Sequence, residues 1–250
     1  MDNAASCWQR HLLVLTADCD LAHAKHRGRV TCVPLLTARE YLMEMKIPIL
    51  RDDAVGKFIG ELRKVLPSDG PNISDERLRQ WPCEAAPSEI VSTLGLDGQG
   101  AEKARAALDS IRLASQTSAT LDEAVKALIE AQADAPNPKK RENIVNAMVQ
   151  ALKMPYSHPP GDALFLSAIA PANDLGYFAY LRHLEQVAED EIAIGPARTA
   201  AAYRRIAHLQ DRYIHALVQR FALVFMSIGL PTTYEEMRDL HSETMGEICR

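Results

Sequence analysis

The sequence predicts an α+β fold in which a small β-barrel or sheet is formed by N-terminal and late strands, with a large helical insertion and C-terminal helices. Three observations predict it. Apolar, strand-forming runs occupy 12–15 (Leu-Leu-Val-Leu) and 30–35 (Val-Thr-Cys-Val-Pro-Leu). A second pair, 163–169 and 176–181, flanks turn residues at 171–176 and reads as a hairpin. Between the pairs, apolar residues recur at the spacing of one helical face. The expected divisions are 1–36 with 160–195 as a barrel-like core, 37–159 as the helical insertion and 196–250 as a C-terminal helical pair.

Each element has its own local reason. Thr37 with Glu40 forms a capping box and predicts a short helix over 37–46. Val55, Phe58, Ile59, Leu62 and Leu66 predict a helix over 52–66, closed by Pro67. Gly70, Pro71, Pro82 and Pro87 make 68–87 a loop around a brief helix at 74–81. Helical periodicity returns over 100–115, over 120–134 behind a second box at Thr120 and Glu123, and over 138–153, where Pro138 takes a first-turn position. Pro155, Pro159, Pro160 and Gly161 then end the helical run. A long helix is expected over 197–228, stopped by Gly229 and Pro231, and a last one over 234–246, opened by Thr233 and Glu236.

Composition bounds the function. With 250 residues, 47% hydrophobic and 24% charged, the chain is ordinary globular material for one large or two small domains. A net charge of -5 excludes a surface given wholly to polyanions, yet leaves room for a regional basic patch. Cys7, Cys19, Cys32, Cys83 and Cys249 are odd in number and never in CxxC spacing. They point away from a disulfide framework or a zinc ribbon and towards reduced thiols in the cytoplasm. No leader pattern opens the chain, and the longest apolar run, 221–230, is half of the ~20 residues that a membrane span requires. No membrane partner and no cofactor are expected.

Residues 177–182 (Tyr-Phe-Ala-Tyr-Leu-Arg) run into Leu184, Glu185, Gln186 and Val187, after an earlier strand that ends on Val33, Pro34, Leu35, Leu36 and Thr37. This order resembles the SH3-like barrel of PemK-like growth inhibitors, which cut RNA. The resemblance covers about 60 residues, and the carry-over from such short motifs is to the barrel more than to the chemistry. It implies Arg10 and Thr37 as the matching basic and hydroxyl residues. Thr37 falls one residue late, and ten residues leave no room for the family's glycine-rich opening strand. The Thr-x-Asp-Cys-Asp-Leu pattern at 16–21 is also similar to that of a loose group of uncharacterised bacterial proteins that end, as here, in a phenylalanine-bearing helix and Gly-Leu-Pro.

The loop between the first two strands concentrates Asp18, Asp20, His23, Lys25, His26 and Arg27. That much charge does not bury unpaired, so the loop lies at a rim or pairs its own charges. Its first reading is structural, with Asp18 capping the turn. The alternative is a metal or catalytic site through Asp18, Asp20, His23 and His26, with Asp18 and Asp20 serving a metal-dependent hydrolase. Cys19, between two carboxylates, is poorly placed as a nucleophile.

On the long helix, Arg198, Arg204, Arg205, His208, Arg212 and His215 fall on one face. Ile206, Leu209, Tyr213, Leu217, Phe221 and Val224 fall on the other. With Lys25, the basic face is the binding candidate, for nucleic acid or an acidic partner. Its plain alternative is a solvated face, or one neutralised by Glu235, Glu236, Asp239 and Glu243. Phe221, Phe225 and Met226 crowd the helix end and mark either internal packing or a homo-oligomer or partner interface. The sequence therefore ranks first a non-catalytic interaction or regulatory component of a bacterial multi-protein system, as in antiphage defence or stress, bound to a partner protein. A toxin-antitoxin-like RNA-binding or RNA-cleaving barrel comes second, and the metal-dependent hydrolase third.

Overall fold

The computed structural model describes residues 6–67, 72–169, 175–193 and 201–225. The chain is α+β. It opens with a short helix α1 (Cys7–Arg10), strand β1 (Leu12–Val14), helix α2 (Asp18–Ala22) and strand β2 (Arg29–Thr37). A helical stretch follows: α3 (Ala38–Tyr41), a π-helical segment Leu42–Lys46, α4 (Ile47–Arg63), α5 (Asp75–Glu84), α6 (Pro87–Thr93), α7 (Gly98–Ala114), α8 (Leu121–Ala133) and α9 (Arg141–Ser157). Then come β3 (Ala163–Leu166), β4 (Tyr177–Tyr180), β5 (Glu185–Ala188), β6 (Ile192–Ala193), β7 (Tyr203–Arg204) and α10 (Asp211–Phe225).

The sheet runs in the order β1-β2-β4-β3, and β5 also pairs with β2. The strands at the front of the chain and those after the helices thus share one sheet. Among the described residues it is open, not a closed barrel, because the end strands β1 and β3 do not pair. β1 runs antiparallel to β2 with Leu13 opposite Val33 and Val14 opposite Cys32. Pro34 has no N–H to give the ladder, and pairing resumes when the Leu35 N–H donates to the His11 carbonyl at 2.9 Å. β5 pairs antiparallel with β2, setting Val30 opposite Val187 and Cys32 opposite Glu185.

Two compact units emerge: Met1–Leu35 with Pro160–Leu164 and Ala179–Arg250, and Leu36–Pro159 with Phe165–Phe178. In the first, Val30, Cys32 and Val187 form a small core against Leu12, Leu21, Ile192 and Tyr203.

In the second, the larger core takes Val55, Phe58, Ile59 and Leu62 from α4, Leu78 from α5, Ile90 from α6, Leu108 and Ile111 from α7, and Leu128 from α8. Each such fully buried side chain contributes about 1.5–3 kcal/mol. Tyr41, Tyr156, Phe165 and Phe178 form an aromatic group, with Tyr41 stacked on Phe178 at 4.3 Å.

Several expectations change. The helices expected over 37–46 and 52–66 are one nearly continuous run from Ala38 to Arg63. Pro48 cannot donate and crowds the carbonyl four residues back, and the wider π turn sits directly before it. The helix expected from Pro138 starts at Arg141 and continues through Pro155 to Ser157. Pro87, expected to close the loop over 68–87, instead stands at the first position of α6, a helix not expected from the sequence.

The largest correction concerns 197–228. Tyr203 and Arg204 pair in parallel with Ile192 and Ala193, and the helix starts only at Asp211. Burial of the strand-forming Tyr203 on the Val30 core outweighs the helical propensity of its alanine- and arginine-rich neighbours. The turn at 171–174, Gly195, Pro196 and the helix expected over 234–246 lie outside the described residues.

Candidate functional site

The polar loop folds around His26. α2 begins at Asp18 behind Ala17, which makes no side-chain cap, so Asp18 opens the helix and does not cap the turn as expected. Asp18 and Asp20 occupy the first turn, where the partial positive charge of the helix start favours carboxylates. Ala24 and Arg27 take left-handed backbone conformations at φ 53° and 50°, followed by Gly28 at 74°. For non-glycine residues that conformation costs about 1–3 kcal/mol each, and the surroundings must hold it.

The anchor is the His26 ring, whose side chain is 2% exposed. Its Nδ1 lies 3.1 Å from the Asp20 carbonyl oxygen and its Nε2 lies 2.9 Å from Glu189 Oε2. The Asp20 carbonyl and the Glu189 carboxylate raise its pKa above 6.5 against the opposing pull of burial. His23 and Lys25 are exposed. Both His26 nitrogens face protein acceptors, and among the described residues no three His, Cys, Asp or Glu side chains are grouped to hold a metal. Asp18, Asp20, His23 and His26 therefore do not converge as a ligand set. His208 Nε2 is 3.9 Å from Asp18 Oδ2, the outer edge of an ion pair between two exposed groups.

Arg10 is the exposed last residue of α1. Thr37 is committed to its helix: its Oγ1 donates to Glu40 Oε2 at 2.8 Å and accepts from the Glu40 N–H at 3.3 Å, while its own N–H donates to Glu40 Oε2 at 2.8 Å.

Opposite Glu185, the Cys32 thiol is pushed up to about 11, by burial first and by the Glu185 carboxylate second. It is a packing group, not a nucleophile. Glu185 also meets His183 at 2.8 Å, and the His183 ring stacks on Trp8 at 5.2 Å.

The basic face expected on one long helix is not assembled as expected. Arg198 lies outside the described residues, Arg204 is in β7, and the Arg205 N–H donates to the Ala193 carbonyl at 3.1 Å. His208 precedes α10, leaving Arg212 and His215 as exposed helical members, with the Arg212 guanidinium 4.9 Å from the Tyr213 ring centre. Ile206, expected in the core, is 61% exposed.

α10 has one inward cation that the periodicity did not single out. Arg220 Nη1 donates to the Ala163 carbonyl at 2.9 Å and the Pro160 carbonyl at 3.3 Å. The available signal was its place beside Phe221 on a mostly apolar helix end.

Around α10 the apolar side chains exceed one core face. Leu217 is buried at 3% exposure, whereas Val218, Leu223 and Phe225 are 58%, 61% and 56% exposed. Ile214, Val218, Phe221 and Phe225 follow one another at four, three and four residues, the spacing of a helix–helix seam. The Phe221 and Phe225 rings lie 4.9 Å apart; Met226 is outside the described residues. No helix among the described residues is long and apolar enough to cross a membrane.

The second unit carries a groove of about 290 Å³ between α8 and α9, lined by Leu121, Val125, Ile129, Val145 and Leu152 with Asp122, Lys126 and Arg141 at its rim. No protein-family model, no curated protein and no solved structure matches this chain.

Proposed function

We propose that this chain is a non-catalytic binding component that acts by holding a partner protein, with α10 as the contact element. The observation that carries the reading is the seam of Val218 and Phe225, with Leu223 beside it, left in water on a helix that already buries Leu217. A helix has one face for its own core, and an apolar stripe beyond it is removed from water by a second chain. A bacterial cytoplasmic assembly, of the defence or stress kind, is the setting we assign to it. Among the described residues Cys19, Cys32 and Cys83 form no disulfide, which fits such a reducing compartment. The test is mass spectrometry of what co-purifies with the tagged native chain, beside light scattering of the purified protein. A stoichiometric foreign protein supports the reading; a chain that self-associates and enriches nothing replaces it with a homo-oligomer through Phe221 and Phe225.

A second reading, RNA binding by the first unit, draws on the exposed Arg204, Arg205 and Arg212. A gel shift and cleavage assay on single-stranded RNA decides it, and cleavage lost on Arg10→Ala would restore the nuclease alternative.

A further inference from the structure

We propose that the groove between α8 and α9 is a docking site for an acidic amphipathic helix of a partner protein. The proposal concerns residues apart from α10 and goes beyond the reading above.

Its floor is a ridge. Leu121, Val125 and Ile129 repeat every four residues along α8, and Val145 and Leu152 stand one above the other on α9. All five are half-buried: Leu121, Val125, Ile129 and Leu152 rest against the core and still line the groove with the side that it leaves open. Val149, 39% exposed, continues the α9 stripe. Two neighbouring helices that present parallel apolar ridges leave a groove into which the ridge of a third helix fits, with anchors at i, i+3 or i+4, and i+7. The floor has no aromatic ring on which a nucleobase could stack, so nucleic acid is not the occupant that it fits.

The rim selects charge. Of the three charged lining residues, Asp122 is held by Arg39 at 2.6 Å. Lys126 has Glu130 at 4.0 Å, an exposed pair at the limit of contact. Arg141 makes no ion pair among the described residues, and the exposed Lys139 and Lys140 directly precede it. An occupant with carboxylates flanking its apolar stripe is therefore attracted, and one with lysines there is repelled.

The experiment uses the full chain and fluorescent peptides of three designs: a helical peptide with a leucine stripe flanked by glutamates, the same peptide with lysines replacing the glutamates, and a scrambled version of the acidic one. Fluorescence anisotropy at physiological salt is expected to show the acidic amphipathic peptide binding at least tenfold tighter than either control. The exposed double variant Lys126→Glu/Arg141→Glu, with an unchanged circular dichroism spectrum, is expected to lose that preference. Val218→Asp/Leu223→Asp, on α10, is expected to bind the peptide as wild type does, so this site and the α10 reading fail separately. Equal binding of the acidic and lysine peptides, equal binding of the scrambled peptide, or wild-type affinity in the rim variant overturns the proposal. So does binding of oligouridylate or anionic phosphatidylglycerol vesicles at Lys126 and Arg141 in place of the peptide.

Discussion

The His26 imidazole joins two segments far apart in the chain: its Nε2 lies 2.9 Å from Glu189 Oε2 while its Nδ1 lies 3.1 Å from the Asp20 carbonyl oxygen. Both partners accept and neither donates. A neutral ring has one N–H and satisfies one of them, so the arrangement is complete only for the imidazolium.

A pH dependence follows. The Asp20 carbonyl first and Glu189 second hold the folded pKa above 6.5. A raised histidine pKa gives stability that is fully present below the unfolded value and is lost as pH rises through the folded value. Urea midpoints of wild type and His26→Gln, measured from about pH 5 to about pH 9, should lie farthest apart at the acid end and converge with rising pH. A gap that is constant, or that widens with pH, contradicts the doubly bonded ring.

Thr37 is predicted to matter for stability. Removing its hydroxyl in Thr37→Val breaks both side-chain limbs with Glu40 and should cost about 1 kcal/mol in urea unfolding, with Thr37→Ser near wild type. Equal midpoints for the two variants would show that the cap contributes nothing.

Gly176 is held at φ 77°, and a Cβ there would stand 2.6 Å from the Phe165 ring. Its carbonyl also accepts the Ala38 N–H at 2.9 Å. Gly176→Ala therefore meets both backbone strain and a clash with the aromatic group, and should lower stability by about 1–3 kcal/mol. A thermal midpoint within a degree of wild type would contradict this packing.

Cys32 should resist alkylation. A thiol held at about 11 is almost wholly protonated at neutral pH, whereas Cys19 and Cys83 are exposed. Mass spectrometry after brief iodoacetamide treatment of the folded chain is expected to find Cys19 and Cys83 labelled and Cys32 unmodified until urea is added. Labelling of Cys32 at the rate of Cys83 would contradict its burial.

Much of the architecture was legible because local and tertiary signals agreed. The Thr37–Glu40 and Thr120–Glu123 boxes fall at real helix starts, although Glu123 turns its carboxylate to the Ala119 N–H. Apolar runs in β1 and β2 pair as strands because β2 is buried without a break from Cys32 to Leu36, as an unbroken apolar run in a strand requires. β5 was not read as an element, since four residues with Glu185 and Gln186 carry too little pattern without Arg29–Cys32 opposite them. The stretch before Asp211 misled for the same reason in reverse: its helical spacing is real, but Tyr203 is claimed by a core that no local window contains. The candidate loop was visible as a cluster of charges, while its organising contact, His26 to Glu189, spans parts of the chain that only the fold brings together.

The central claim, that α10 holds a partner, is tested most directly by affinity capture of the tagged full chain beside its Val218→Asp/Leu223→Asp variant, with quantitative mass spectrometry of both eluates. Both side chains are more than half exposed, so the variant should keep the wild-type urea midpoint. The account predicts a protein enriched with wild type and reduced at least tenfold with the variant. Equal recovery from a folded variant, or no protein enriched with either, would contradict it.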